Sequence, residues 1–294
     1  MMKNLKGTGV ALVTPFNLDG SVDYPALERV VENVIDGGVD FLVVFGTTAE
    51  TPTLNDAEKI EILSVVKKVN AGRLPIMIGM SGNNTAMLVE QIRRFDFSDI
   101  TALLSASPYY NKPSQEGIYQ HFMAVADASP VPVMLYNVPG RTGSNMAPET
   151  VVRLARDHEN IMGIKEASGN MAQVSKILRD KPEGFELYSG EDNLAVATIA
   201  LGGMGIISVA ANAFPKPFSQ MINSSLNGDF INASRLQLEL FEIIELLFAE
   251  GNPVGVKTAL SIENICNQYV RLPLVPGTDA LREKMQKIIS QKFA

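Results

Sequence analysis

Short apolar runs alternate along this chain with longer segments in which apolar residues recur every three or four positions. Runs of the first kind read as strands buried on both faces, and segments of the second kind as amphipathic helices. The first run covers residues 10–13 and is closed by Thr14-Pro15. Over 23–35, Leu27, Val30, Val31 and Val34 share one helical face, and Gly37-Gly38 stops the helix. Residues 41–45 predict a second strand. A helix over 55–69 follows, with Asn55 as N-cap, Glu58 as its capping-box partner, and Ile60, Leu63, Val66 and Val69 as its apolar stripe. The rhythm continues with strands over 75–78, 100–104, 133–136, 161–165, 185–189 and 205–209. The helices between them cover 85–95, 114–128, 148–156, 171–178 and 192–201, and another begins beyond Phe214. Eight strands alternating with eight helices within residues 1–227 predict a (β/α)8 TIM barrel, a fold of typically ~250 residues. An open, doubly wound sheet is the rival from pattern alone.

After Asn227-Gly228, a turn signal, the strand runs stop. Residues 230–249 predict a long helix with Leu236, Leu240, Ile243, Ile244 and Leu247 on its apolar face, and further helices cover 253–265 and 278–293. The expected organisation is a barrel over 1–227 and a small three-helix domain over 228–294.

Composition narrows the function. With 46% hydrophobic and 19% charged residues, the chain of 294 is a folding one. Its net charge of −7 argues against nucleic acid or an anionic membrane as partner. Cys266, the single cysteine, excludes an intrachain disulfide and fits a cytoplasmic location. The apolar run at 10–13 is too short for a signal peptide, and the weakly polar stretch 196–214 is broken by Gly202, Gly203 and Gly205, so no membrane span is expected. Two histidines and one cysteine leave little for a zinc site, and no metal is expected. His121 reads as a helix-surface residue, and His158 as one placed at a helix end that suits an imidazolium. There is no nucleophile-elbow serine and no Walker motif, and Gly202, Gly203 and Gly205 precede a strand where a dinucleotide fingerprint would follow one.

In a barrel of this kind the chemistry gathers where strands end. Those positions hold Gly46-Thr47-Thr48, Tyr109-Tyr110, Tyr136, Arg141, Lys165 and Ser189-Gly190-Glu191-Asp192. Each has an ordinary reading: a hydroxyl bonding its own turn, a loop aromatic, a solvated cation, a lysine snorkelling from a strand end. Together they suit an amine that captures a 2-oxo acid, phenols that move protons and a guanidinium that clamps a carboxylate. A neutral lysine amine attacks a ketone to form an imine, and burial favours the neutral form.

Four motifs, in this order, carry a resemblance over essentially the whole chain: Gly46-Thr47-Thr48-Ala49-Glu50, Tyr109-Tyr110-Asn111-Lys112-Pro113-Ser114-Gln115-Glu116-Gly117, Tyr136-Asn137-Val138-Pro139-Gly140-Arg141-Thr142-Gly143 and Gly163-Ile164-Lys165-Glu166-Ala167. The chain resembles the dihydrodipicolinate synthase family of pyruvate-dependent class I aldolases. The resemblance implies a lyase that condenses pyruvate with L-aspartate 4-semialdehyde in lysine and diaminopimelate biosynthesis, without a cofactor, as a homotetramer built from two tight dimers. It implies that Lys165 forms the imine, that Thr47 and Thr48 hold the pyruvate carboxylate, and that Thr47 joins Tyr136 in a proton relay. Tyr110 matches the residue that enters a neighbouring subunit's site, Arg141 would bind the semialdehyde carboxylate, and Ile207 and Gly190 would line the substrate. An effector cleft for L-lysine would match Thr51, Pro52, Asp56, Lys59, Asn83, Met87 and Tyr109. Lysine-sensitive relatives typically carry a glutamate where this chain has Met87 and a histidine where it has Lys59, so weak or absent inhibition is expected. The family usually has glycine at the position of Ala49; were φ positive there, alanine would be strained. N-acetylneuraminate lyase and 2-keto-3-deoxy sugar acid aldolases share the lysine and the strand-end tyrosine but resemble the Arg141 segment poorly. A 2-oxo-acid-binding barrel without turnover is the non-enzymatic alternative.

Overall fold

The computed structural model describes residues 5–292; residues 1–4 and 293–294, on which the expected outer ends of the two domains and of the last helix fall, lie outside the described residues. Eight strands pair in chain order as a closed barrel: β1 Gly7–Ala11, β2 Phe41–Val44, β3 Ile76–Gly79, β4 Ala102–Ala106, β5 Val133–Asn137, β6 Ile161–Glu166, β7 Glu186–Ser189 and β8 Gly205–Ser208. The pairs are parallel, and helices stand between successive strands, as in a (β/α)8 barrel. The continuous apolar runs form these strands because both faces are covered; β1, β2, β5 and β8 are buried throughout.

Helix starts follow their caps. Asp23 Oδ1 accepts the Ala26 amide at 3.0 Å to open Tyr24–Asp36. Asn55 and Glu58 exchange side chain–backbone hydrogen bonds of 2.9 Å each, the expected capping box, and open Asp56–Asn70. The stripe of that helix differs from expectation. Ile62, Leu63, Val65 and Val66 face inward, whereas Ile60 is 72% exposed. At 3.6 residues per turn Ile60 lies about 200° around the helix from Ile62, so one face cannot bury both.

His121 is likewise not on the surface. It shares the inner face of Gln115–Ala128 with Ile118, Phe122 and Val125, is 3% exposed, and meets Thr85 Oγ1 through Nδ1 at 2.9 Å. Burial lowers its pKa to about 4, so the ring is neutral at pH 7. His158 caps the C-terminus of Pro148–Asp157 as expected, with Nε2 3.0 Å from Asp127.

The chain packs as two compact units, one of residues 5–6 with Pro75–Ile207 and one of Gly7–Leu74 with residues 208–292. The second unit contains β1, β2 and the helices Pro215–Leu226, Phe230–Ala249, Val254–Ile262 and Asp279–Lys292. Phe230–Ala249 has the predicted bounds and buries all five residues of the predicted stripe.

Candidate active site

In the first unit the strand register sets Tyr136 of β5 beside Lys165 of β6, and Lys165 beside Tyr188 of β7. Register partners on adjacent parallel strands face the same side of the sheet. Lys165 is 5% exposed, and its Nζ lies 4.4 Å from the centre of the Tyr136 ring. Gly190 makes room for it: a Cβ there would stand 3.0 Å from Lys165 Cε and 2.5 Å from Ala167 Cβ. The Gly190 amide donates to the Glu166 carbonyl at 2.7 Å and holds the turn closed. Tyr188 is locked by contrast. It is fully buried, its hydroxyl donates to Glu186 Oε2 at 2.6 Å, and burial and that carboxylate both raise its pKa.

Arg141 rides on the short helical turn Pro139–Thr142, which Gly143 closes in the left-handed region at φ 73°. Its side chain is exposed. Glu191 links it electrically to the amine. Burial and the Asp192 charge raise the Glu191 pKa, while Lys165 and Arg141 pull it back. The Arg141 loop is fastened at its far end, where Asn137 Oδ1 accepts the Met146 amide at 3.0 Å. Behind it lies Glu166, on the face of β6 opposite Lys165. This buried carboxylate accepts from Asn137 Nδ2 and Gln173 Nε2 at 2.9 Å each and from the Ser168 amide at 2.7 Å. Asn145 joins the group through Asn137 and Gln173, both at 2.8 Å.

Tyr109 and Tyr110 are held by backbone, with the Tyr110 amide donating to Thr142 O at 3.4 Å and Asn83 Nδ2 donating to Tyr109 O at 3.3 Å. Tyr110 has φ 74° and Lys112 φ 46°, and the Tyr110 side chain is 88% exposed. Two bulky residues in the left-handed region mark a locally strained segment. Thus Lys165, Tyr136 and Gly190 come together, Arg141 lies within electrostatic reach of Glu191, and Tyr110 projects into solvent. Ile207 is fully buried in β8, and Met87 is exposed.

In the second unit, β2 runs into a 3-10 turn, Thr47–Ala49. Thr48 is 1% exposed, and its Oγ1 accepts from Asn252 Nδ2 at 3.0 Å. Ala49 escapes the left-handed strain, which falls instead on Phe45, at φ 60°, and on the adjacent Glu50, at φ 53°. Its carbonyl accepts from Thr14 Oγ1 at 2.8 Å. Glu50 is anchored by a buried ion pair, Oε1 to Lys257 Nζ at 2.6 Å, and its Oε2 accepts the Arg271 amide at 2.9 Å. Burial lowers the Lys257 pKa and the Glu50 charge opposes that shift; the ammonium also donates to Tyr269 O at 2.8 Å. Lys59 Nζ lies 3.5 Å from Asp56 Oδ1, and Thr51 Oγ1 donates to Gly46 O at 3.0 Å. Among the described residues no cluster of three or more His, Cys, Asp or Glu could hold a metal, and no helix is long and apolar enough to cross a membrane.

Glu166, Asn252 and Lys257 were not singled out from sequence. The available signal is a lone charge in an otherwise apolar helix for Lys257 in Val254–Ile262, and for Glu166 its place at the end of β6 directly after Lys165.

A parallel barrel that carries a buried amine near the end of its sixth strand, set against a phenol ring, suits an imine-forming lyase, and the matches to known proteins make this chain an enzyme of the aldolase-like lyase class. Residues 4–292 match the model of the dihydrodipicolinate synthetase family, and the chain belongs to that family. It is 51% identical over 288 residues to the 4-hydroxy-tetrahydrodipicolinate synthase of Phocaeicola vulgatus, covering 98% of this chain and 97% of the relative. Among solved structures it is similar to the chloride-inhibited dihydrodipicolinate synthase of Acinetobacter baumannii complexed with pyruvate, with TM-score 0.94, 37% identity and coverage of 98% and 99%. It is also similar to a monomeric dihydrodipicolinate synthase variant, with TM-score 0.95, 33% identity and coverage of 98% and 97%.

Proposed function

We propose that the chain condenses pyruvate with L-aspartate 4-semialdehyde through an imine on Lys165, the reaction of a 4-hydroxy-tetrahydrodipicolinate synthase in lysine and diaminopimelate biosynthesis. The observation that carries this reading is the buried Lys165 against the Tyr136 ring, with Gly190 leaving space at its side chain. The Lys165 amine attacks the pyruvate ketone and water leaves. The imine then acts as the electron sink for loss of a methyl proton, so the reaction calls for neither metal nor organic cofactor. Thr47 and Thr48 hold the pyruvate carboxylate, Thr47 and Tyr136 move the protons, and Gly190 and the Ile207 backbone line the substrate. Arg141 binds the semialdehyde carboxylate through charge-assisted hydrogen bonds. The enamine carbon attacks the aldehyde, forming the carbon–carbon bond. The substrate amino group then adds to the imine carbon and expels Lys165 as the free amine.

Borohydride with pyruvate is expected to fix one pyruvate-derived adduct per chain, on Lys165, read by intact mass and peptide mapping; equal labelling of Lys165→Ala would overturn the assignment. Condensation with aspartate semialdehyde, compared with cleavage of N-acetylneuraminate, separates this activity from its nearest rivals.

The reading extends to a cytoplasmic homotetramer in which Tyr110 is supplied to a second copy. Its support is the exposure of Tyr110 in a backbone-held, strained loop. Inactive Tyr110→Phe and Lys165→Ala protomers are expected to regain activity when mixed, and a fully active monomer in sedimentation would count against it. The candidate effector cleft, with Tyr109, Asn83, Lys59 and Met87, offers a thioether where an ammonium needs an anion, and Lys59 adds repulsion of about 1 to 4 kcal/mol at close range, which the Asp56 carboxylate 3.5 Å from its ammonium offsets in part. Inhibition by L-lysine is therefore weak or absent; half-inhibition well below millimolar in a titration at subsaturating pyruvate would refute this.

A further inference from the structure

Thr48 is tied to a residue far along the chain. Asn252 stands in the turn between Phe230–Ala249 and Val254–Ile262, is 7% exposed, and points its amide Nδ2 at Thr48 Oγ1, 3.0 Å away. A hydroxyl has one proton and two lone pairs, and a carboxylate only accepts. When Asn252 donates into one lone pair, the Thr48 proton remains available for an incoming carboxylate. Without that N–H the hydroxyl is free to rotate, and it can turn its proton to another acceptor.

The same segment grips the turn at its other end. Lys257, in the helix that begins two residues after Asn252, holds Glu50 at 2.6 Å, and Glu50 is the left-handed residue that closes the Thr47–Ala49 turn. The Lys257 amide donates to Pro253 O at 3.0 Å, so Asn252 and Lys257 belong to one continuous hydrogen-bonded stretch. Position and orientation of Thr48 therefore both depend on a segment more than 200 residues away in sequence, separated by 204 from Asn252 and by 207 between Glu50 and Lys257.

We propose that Asn252 is a positioning residue that presents the Thr48 hydroxyl as a hydrogen-bond donor to the pyruvate carboxylate. This rests on the proposed function and on the reading of Thr48 as a carboxylate contact. A role in packing alone and a role in orientation predict opposite orders for two variants. Asn252→Asp keeps the shape but removes both donors, so Thr48 must donate to the new carboxylate, and a negative charge faces the substrate. Asn252→Ala leaves a void and an unoriented hydroxyl.

Orientation predicts a pyruvate KM raised about 10-fold in Asn252→Ala, the scale of one lost charge-assisted hydrogen bond. It predicts a rise at least about 10-fold larger again in Asn252→Asp, the cost of like charges brought together. In both variants kcat at saturating pyruvate and the semialdehyde KM stay within about 3-fold, since neither is asked to change by a uniform binding loss. Lowering the pH is expected to relieve the Asn252→Asp defect, because the protonated carboxyl regains a donor. An Asn252→Asp enzyme with near-normal pyruvate KM, beside a worse Asn252→Ala, overturns the proposal. Should the aspartate variant not fold, Asn252→Ser, which keeps a donor, must lie closer to the wild type than Asn252→Ala; the reverse order overturns it equally. Thr48→Val separates the two levels of inference. If it leaves pyruvate KM unchanged, the carboxylate contact itself is wrong, whereas failure of the Asn252 order with a damaged Thr48→Val enzyme refutes the positioning role alone.

Discussion

The turn after β2 and the turn after β6 each rest on a buried glutamate, and the two are neutralised by different chemistry. Glu50 faces a full charge, the Lys257 ammonium, with the Arg271 amide on its second oxygen. Glu166 is held by neutral donors among the described residues, two side-chain amides and one backbone N–H. An ion pair is a single strong contact between two partners, and removal of either strands the other as an unpaired charge. A carboxylate shared among several dipoles loses only a fraction of its compensation with any one of them. The first device fixes a turn to a distant helix. The second spreads outward through Asn137, Asn145 and Gln173 to the loop that carries Arg141.

The largest effect should come from breaking the ion pair on one side. Lys257→Met leaves Glu50 charged and buried, at a cost of about 3 to 5 kcal/mol, and urea unfolding is expected to show a midpoint shifted accordingly. Adding Glu50→Gln should recover much of that loss, since an uncharged pair of similar volume is often as stable as the pair it replaces. If the double variant is no more stable than Lys257→Met, the anchor is packing and the contrast with Glu166 fails.

Glu166→Gln is a milder break. The new amide group opposes donors that the carboxylate accepted from, leaving one of them without a partner, for about 1 to 3 kcal/mol. Because the network ends on the Arg141 loop, the semialdehyde KM should rise more than the pyruvate KM. Arg141→Ala sets the scale for that asymmetry, with use of the semialdehyde weakened roughly 10- to 150-fold by loss of one charge-assisted contact. Glu166→Gln should show the same asymmetry at smaller size. Equal damage to both substrates would mean that Glu166 acts on the whole barrel and not on this loop.

These two devices also show where sequence reading reaches its limit. The strands, the Asn55–Glu58 box and the Phe230–Ala249 stripe were legible because period and capping act within a few residues. Lys165 and Tyr136 were legible as residues at strand ends, and strand register then made them neighbours. The residue type of His121 suggests a surface position, but its spacing from Ile118, Phe122 and Val125 places it on the inner face. Ala49 was a question about one torsion, and the left-handed conformation fell instead on Glu50. No local pattern could have paired Thr48 with Asn252 or Glu50 with Lys257, because those contacts exist only once the chain has folded back across more than 200 residues, 204 and 207 respectively.

A third carboxyl sharpens the contrast with the smallest effect. Among the described residues Glu191 has neither a dedicated ion-pair partner of the Glu50 kind nor a ring of amides, and burial and Asp192 raise its pKa above the ordinary 4.5 despite the opposing pull of Lys165 and Arg141. A carboxyl with a raised folded pKa binds more protons folded than unfolded between the two values. Stability therefore falls as pH rises through that window, and above it the loss is complete. Glu191→Gln removes the titration, so the variant should gain on the wild type from pH 4 to pH 7. At a half-buried, solvent-screened position the gain stays under about 1 kcal/mol. Thermal melts at the two pH values measure it. A constant difference between variant and wild type would mean that Glu191 is compensated as fully as Glu50 and Glu166, and a difference that shrinks towards pH 7 would mean that Lys165 and Arg141 outweigh its burial.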